Sequence, residues 1–204
     1  MEGCVSFIMM KTKDIVNISM FATLLAVCAW ICIPTVVPFT MQTFAVFLAM
    51  IVLGGKKGTI VICIYLFLGI IGVPVFSRGT AGIGVLFGGT GGYMIGWIFI
   101  GLVMCAAERL VTYQVRKKMN SDSDIGILMK NKKWFQIAGL LVGLIICYLF
   151  GTCWFMHVYT KNAEPIGFAS ALGMCVIPFV IPDLIKMSLA FAVSKKIRKA
   201  IGNV

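Results

Sequence analysis

The sequence predicts an all-α integral membrane protein, a single domain over residues 1–204 that crosses the bilayer six times. Of its residues, 60% are hydrophobic and only 12% are charged, whereas soluble domains carry about 25% charged residues. Apolar segments recur along the whole chain, and most approach the roughly 20 residues that cross a bilayer as a helix. Basic residues cluster in alternate connections between these segments, as is typical of multi-pass membrane proteins.

Six apolar segments are predicted as transmembrane helices. The first has no clear signal-peptide cleavage site and is followed by further spans, so we interpret it as a retained helix. The third is short because Pro74 follows it. The predicted helices cover residues 15–33, 39–54, 58–73, 91–114, 134–156 and 169–193.

The distribution of basic residues predicts the orientation of these helices. Lysine and arginine are frequent in both tails and in the second and fourth connections, and sparse in the other three. By the positive-inside rule, both termini lie in the cytoplasm and the glycine-rich connection 74–90 faces outside. The predicted location is the plasma membrane, with the lipid bilayer as the surrounding medium.

Several classes of protein are disfavoured by what the sequence lacks. The net charge of +11 does not form the basic face that a nucleic-acid footprint needs, so no nucleic-acid partner is predicted. No Walker A, HExxH or GxSxG motif occurs, and no cysteine–histidine set has zinc spacing. We therefore predict no catalytic residue, no metal, no cofactor and no enzymatic activity. If transport is driven by ATP, the ATPase is another chain.

The last segment contains "CVIPFVIPDLIKMSLAF", with two full charges in its apolar body. Asp183 and Lys186 are three residues apart and therefore share a helix face. Charges inside the membrane are costly and mark functional candidates. Two interpretations remain open, an ion pair that only satisfies itself and a pair that lines a polar pocket. In such a pocket Asp183 would accept ligand N–H groups, and Lys186 would donate to a ligand carbonyl or orient Asp183.

Two further stretches supply candidate ligand contacts. In "PTVVPFTMQTF", Thr40 is either a helix cap or a ligand contact, and Gln42 carries an amide that needs a partner. In "VPVFSRGTAGIGVLFGGTGGYMIG", the start of a helix and Arg78 could together hold a carboxylate. Tyr93 offers a ligand an apolar ring and a hydroxyl at the mouth of the bundle. Arg78 is equally interpretable as a solvated arginine, and Tyr93 as an interfacial tyrosine. The glycines that follow also permit close helix packing.

The first span carries small residues at helical spacing. Ala22 and Ala26 form a small-xxx-small face. This face either packs inside the bundle or contacts a partner membrane protein.

Three stretches, in order, resemble the signatures of BioY proteins, the biotin-binding S components of energy-coupling factor (ECF) transporters. They are "VPFTMQTFAVFLAMIVLGGKKG", "GIIGVPVFSRGTAGIGVLFGGTGGYMIG" and "IPDLIKMSLA", and the similarity covers most of residues 20–193. The resemblance implies a six-helix S-component bundle that binds biotin near its outer face. It also implies partnership with the membrane subunit EcfT and two cytoplasmic ATPases, and a contact with EcfT through Ala22 and Ala26.

The resemblance also implies roles for individual residues. Asp183 and Lys186 match the positions that contact the biotin ring system, and the loop 74–90 matches the lid over the site. The asparagine frequent in this loop is absent, and Thr80 is the best substitute. The motif usually written GPTGGY has Gly89 in place of proline, which implies a looser lid.

The predicted function is thus capture of biotin outside the cell and its delivery through an ATP-driven ECF complex. Biotin has two N–H donors, a carbonyl, an apolar thioether ring and an anionic tail, which suit the candidate residues. Two alternatives remain: an S component for another small vitamin-like ligand, and a secondary transporter that works alone.

Overall fold

The computed structural model describes residues 11–33, 38–118, 123–162 and 167–201, with side chains for all of these except 114–118, 123–132, 161 and 162. Within these ranges the chain forms seven α-helices, one 3-10 helix and one antiparallel strand pair. The elements are α1 (Thr12–Trp30), β1 (Cys32–Ile33), β2 (Phe39–Thr40), α2 (Gln42–Ile70), the 3-10 helix (Ser77–Gly79), α3 (Ile83–Phe87), α4 (Gly91–Lys118), α5 (Ser123–Asn162), α6 (Phe168–Cys175) and α7 (Ile177–Ile201).

Five of the described helices are long and apolar enough to cross a membrane, namely α1, α2, α4, α5 and α7. Helix α2 is folded back on itself at Gly54, whose backbone angles are φ 84° and ψ 171°. The Gln42 amide donates to the Tyr65 hydroxyl, although a straight helix would place these residues about 34 Å apart. The predicted second and third spans are therefore two antiparallel arms, 42–53 and 55–70, and the predicted six-span fold is confirmed.

Several helix bounds differ from those predicted. Helices α4 and α5 extend through most of the expected 115–133 linker, because hydropathy marks only the part of a helix that lies in lipid. The predicted segment 169–193 is two helices, with a break at Val176 (φ −121°, ψ −54°). Pro178 follows as the second residue of α7, where its missing N–H costs no helical hydrogen bond.

The first arm of α2 lies at the centre of the bundle. Its residues from Ala45 to Ile51 are each at most 2% exposed, as expected of a helix that is hydrophobic on all sides. Helices α4 and α5 pack closely through glycines. A Cβ at Gly92 would lie 2.3 Å from Trp154 Cβ, and one at Gly96 would lie 2.7 Å from Cys147 Sγ. The close packing expected from these glycines is confirmed.

Polar contacts hold the reversal of α2 at what we call the Gly54 end of the bundle. The Gly55 N–H donates to both carboxylate oxygens of Glu108, at 3.0 Å each, and Arg198 Nη2 donates to Ile51 O. The carboxylate thus meets the N-terminus of the second arm and the guanidinium meets the C-terminus of the first. Both placements are favourable for the helix dipoles.

The start of α1 and the end of α7 also lie at the Gly54 end. Asp14, at the start of α1, forms a 2.7 Å ion pair with Lys57, and Arg198 is in the last turn of α7. Both described ends of the chain therefore share the side of the bundle that carries the basic 56–57 connection, as the sequence predicts.

Candidate ligand-binding site

A cavity opens at the opposite end of the bundle, beneath the connection 74–90, which we call the lid. Its volume is about 740 Å³ with the open mouth included. The lining residues come from the β2–α2 start, the lid, α4, α5, α6 and α7: Pro38, Thr40, Gln42, Thr43, Ser77, Val85, Thr90, Tyr93, Met94, Trp97, Leu144, Cys147, Tyr148, Cys175, Phe179, Asp183 and Lys186.

A buried ion pair forms one wall of the cavity. Asp183 is 2% exposed and Lys186 is 5% exposed, and Lys186 Nζ lies 2.9 Å from Asp183 Oδ1. The ammonium also donates to Thr40 O at 2.7 Å and to Thr43 Oγ1 at 2.9 Å. All three N–H donors of the lysine thus have protein acceptors.

Asp183 is held by three hydrogen bonds. Oδ1 accepts from Thr43 Oγ1 at 2.8 Å in addition to Lys186, and Oδ2 accepts from the Tyr148 hydroxyl at 2.6 Å. The pair is satisfied by protein groups and also lines the cavity, and its contact with a ligand remains a prediction. A ligand carbonyl that accepts from Lys186 must replace an existing bond, whereas Asp183 Oδ2, with one donor, can accept a second.

Aromatic rings complete the walls around the charges. Lys186 Nζ lies 4.1 Å from the ring centroid of Phe39, close enough for a cation–π interaction. Phe39 in turn stacks on Phe179 at a centroid distance of 5.9 Å. The short β1–β2 ladder, which the sequence did not predict, pairs Cys32 with Thr40 and so places Thr40 at the cavity and Phe39 against Lys186.

Besides the ion pair, three of the predicted ligand-binding residues line the cavity. Thr40 and Gln42 are 8% and 4% exposed, and Thr40 Oγ1 donates to Gln42 Oε1 at 2.8 Å. Tyr93 extends from α4, with its hydroxyl 3.2 Å from Thr152 Oγ1. The structure therefore brings together the β2–α2 start, α4 and α7 around one space.

The other two predicted ligand-binding residues do not line the cavity. Arg78 and Thr80 are exposed on the lid, and Thr80 Oγ1 donates to Ser77 O at 2.9 Å. Arg78 has a positive φ of 60°. Contact of either residue with a ligand would require the lid to rearrange, and their predicted binding roles remain predictions.

Sequence reasoning missed Tyr148 and Trp97. A hydroxyl within an apolar span needs a partner, and this signal could have identified Tyr148 in the segment 134–156. Trp97 follows Tyr93 by four residues and therefore shares its helix face, a spacing that could have placed it at the cavity.

Part of the lid is helical. Ser77 in the 3-10 helix, Val85 in α3 and Thr90 line the cavity. The backbone of Gly89 passes close to α5, since a Cβ there would lie 3.1 Å from Phe155 Cδ2. The side chain of Trp154 also donates from Nε1 to Gly88 O at 3.1 Å. The end of the lid is thus fastened to α5.

The small residues of α1 face the core of the bundle. Ala22 is 4% exposed and belongs to the main hydrophobic core, against which the half-buried Ala26 also packs. This placement fits the internal-packing interpretation of Ala22. The contact of Ala22 and Ala26 with a partner subunit remains a prediction.

Fold and cavity together define a multi-pass helical membrane protein with a small-molecule pocket at one end of its bundle. The chain belongs to the BioY family, whose profile matches residues 4–203. It is 34% identical to the biotin transporter BioY of Thermotoga maritima over 191 residues, which cover 92% of this chain and 96% of that protein. It is 30% identical to the probable biotin transporter BioY of Pyrococcus horikoshii over 190 residues, with coverage of 93% and 98%.

The fold is also that of a solved S component. The crystal structure of the S-component for biotin from an ECF-type ABC transporter matches with a TM-score of 0.70 and 24% identity, over 94% of this chain and 95% of that one.

Proposed function

We propose that the chain is the substrate-binding S component for biotin of an ECF transporter. The observation that carries the proposal is the buried pair of Asp183 and Lys186 in the wall of the lidded cavity. A ureido group presents two N–H donors next to one carbonyl acceptor, and this pair offers a carboxylate acceptor next to an ammonium donor. The names of the relatives from Thermotoga maritima and Pyrococcus horikoshii support biotin as the ligand.

In the proposed complex the carboxylate of Asp183 accepts the ureido N–H groups and Lys186 donates to the ureido carbonyl. The apolar walls, with Trp97, Met94 and Phe179, receive the thioether ring. Tyr93, Gln42 and Thr40 border the ligand, and the valerate carboxylate points to the lid, where Arg78 and Thr80 would meet it after a rearrangement. A few placed polar groups in an apolar pocket give orientation and specificity.

The direct test is titration of the purified protein with labelled biotin in the absence of ATP. Saturable binding is expected, and its absence at micromolar biotin would refute the proposal. Competition with 2-iminobiotin tests the ureido contact, because this analogue has an imino group in place of the carbonyl that Lys186 would bind. Competition with biotin methyl ester tests the contact of the valerate carboxylate. If Arg78 binds the carboxylate, Arg78→Gln weakens biotin and leaves the methyl ester unaffected.

Transport is proposed to require EcfT and two cytoplasmic ATPases. In proteoliposomes, biotin uptake is expected only when these subunits and ATP are present. Uptake by the chain alone, driven by an ion gradient, would support the stand-alone secondary transporter instead. Saturable binding of thiamine or riboflavin in preference to biotin would support an S component for another vitamin.

A further inference from the structure

Tyr65 is a buried tyrosine of the second α2 arm that is not among the cavity-lining residues. Its side chain is 0% exposed, and its hydroxyl makes two hydrogen bonds. It accepts from Gln42 Nε2 and donates to Val75 O at 3.0 Å. Gln42 lines the cavity, and Val75 belongs to the first part of the lid. Tyr65 therefore lies between the cavity and the lid.

The contact at Val75 is one end of a continuous series of hydrogen bonds. From Tyr65 the series passes through the side-chain amide of Gln42, whose Oε1 accepts from Thr40 Oγ1 at 2.8 Å. The carbonyl of Thr40 then accepts from Lys186 Nζ at 2.7 Å. Each residue of this series other than Val75 is at most 8% exposed. The lid is therefore joined to the ion pair through residues that are almost fully buried.

Tyr65 also contacts the lid through its ring. Phe76, the residue after Val75, is 0% exposed and packs edge-on against Tyr65 with ring centroids 5.6 Å apart. Phe76 occupies the space above Gly69, where a Cβ would lie 1.9 Å from Phe76 Cζ. The ring contact anchors the start of the lid by packing, while the hydroxyl adds a directional bond.

We propose that the Tyr65 hydroxyl is a positioning group that holds the start of the lid in register with the Asp183–Lys186 pair, and thereby slows release of the bound ligand. The inference rests on the proposed function for its ligand, biotin. Loss of the hydroxyl would remove the acceptor of the buried Gln42 Nε2 and the donor to the Val75 carbonyl, and a buried polar group without its partner is the costly case for hydrogen bonds. The lid would open more often, while every group that faces the ligand would remain.

The test is Tyr65→Phe, which keeps the ring against Phe76 and removes only the hydroxyl. We expect the dissociation rate of biotin to rise about tenfold or more while the association rate stays within about threefold, since changes within one interface act mostly on dissociation. The matched control is Tyr113→Phe, which removes the same atom from a tyrosine that is 65% exposed. A wild-type dissociation rate for Tyr65→Phe would overturn the inference.

Hydrogen exchange separates positioning of the lid from general loss of stability. In Tyr65→Phe without ligand, amide exchange is expected to accelerate in residues 75–90 and to stay unchanged in α5 and α7. Uniform acceleration along the chain would mean that the hydroxyl only stabilises the fold, and the inference would fail. If the wild type binds no biotin, the proposed function fails, but the difference in lid exchange between the two proteins still decides the role of Tyr65.

Discussion

The Asp183 carboxylate and the Lys186 ammonium lie 2.9 Å apart, with only 3% and 6% of their side chains exposed. A second carboxylate–ammonium pair, Asp14 with Lys57, is equally close at 2.7 Å, but these side chains are 22% and 29% exposed. The separations are similar and the surroundings differ. The molecule therefore contains its own comparison between a buried and a partly exposed ion pair.

We expect Asp183→Ala to weaken biotin binding by about 2–5 kcal/mol, because it leaves Lys186 buried without its counter-charge and removes the acceptor for the ureido group. Asp14→Ala should change stability by at most about 1 kcal/mol and leave binding unchanged. Biotin titration and thermal unfolding in detergent measure both quantities.

The double substitution Asp183→Leu with Lys186→Met separates the two roles of the buried pair. Asp183→Ala is also expected to lower the unfolding temperature, and removal of both charges should reverse most of that decrease, since an apolar pair can replace a buried ion pair. Binding should stay lost. If Asp183→Ala retained wild-type affinity, the ligand would have to bind elsewhere.

Gly54 makes the reversal of α2 possible, and its substitution is the sharpest test of the fold. Its backbone lies at φ 84° and ψ 171°, a region open almost only to glycine, which other residues enter at a cost of about 1–3 kcal/mol. A Cβ would also lie 3.0 Å from Glu108 Oε1. Gly54→Ala should therefore lower the unfolding temperature clearly.

Gly173→Ala is the matched control for this change. Gly173 lies in α6, its φ is not positive, and an added Cβ would meet no atom within 4 Å. Because alanine favours helix by about 1 kcal/mol over glycine, this variant should be as stable as the wild type or slightly more so. Equal behaviour of the two variants would argue against the reversal at Gly54.

The predicted orientation can be tested by labelling in intact cells. Thr80→Cys, on the exposed face of the lid, should react with a membrane-impermeant maleimide added outside. Lys196→Cys, exposed near the end of α7, should react only after the cells are permeabilised. The unmodified chain with its native cysteines sets the background. Labelling of Lys196→Cys in intact cells would reverse the proposed topology.

Ala26 provides the test of the proposed contact with a partner subunit. Ala26 is half-buried, whereas Ala22 is fully buried in the core, so only Ala26 can gain bulk without filling the interior. Ala26→Leu is expected to bind biotin normally and to lose ATP-driven uptake when EcfT and the ATPases are present. Val27→Leu, on the exposed face of α1, should retain both activities. Loss of binding in Ala26→Leu would instead indicate internal packing.

The sequence by itself determined the class of protein, its spans and the central ion pair. Hydropathy and clusters of basic residues are local signals, so they identify segments that must lie in lipid and the ends that must not. Asp183 and Lys186 stand out for the same reason, since a charge in an apolar run is conspicuous. The reversal of α2 was also predictable, because Lys56 and Lys57 interrupt its apolar run.

Only the tertiary structure decided which groups surround that pair and which do not. Tyr148 reaches Asp183 across 35 positions of the chain, and Lys186 reaches the Thr40 carbonyl across 146. The same holds for Tyr65 beneath the lid, and for Arg78 and Thr80 on its outer face. These relations depend on how separate helices pack, which no local pattern encodes, because a side chain's partners are set by the position and rotation of helices distant in sequence.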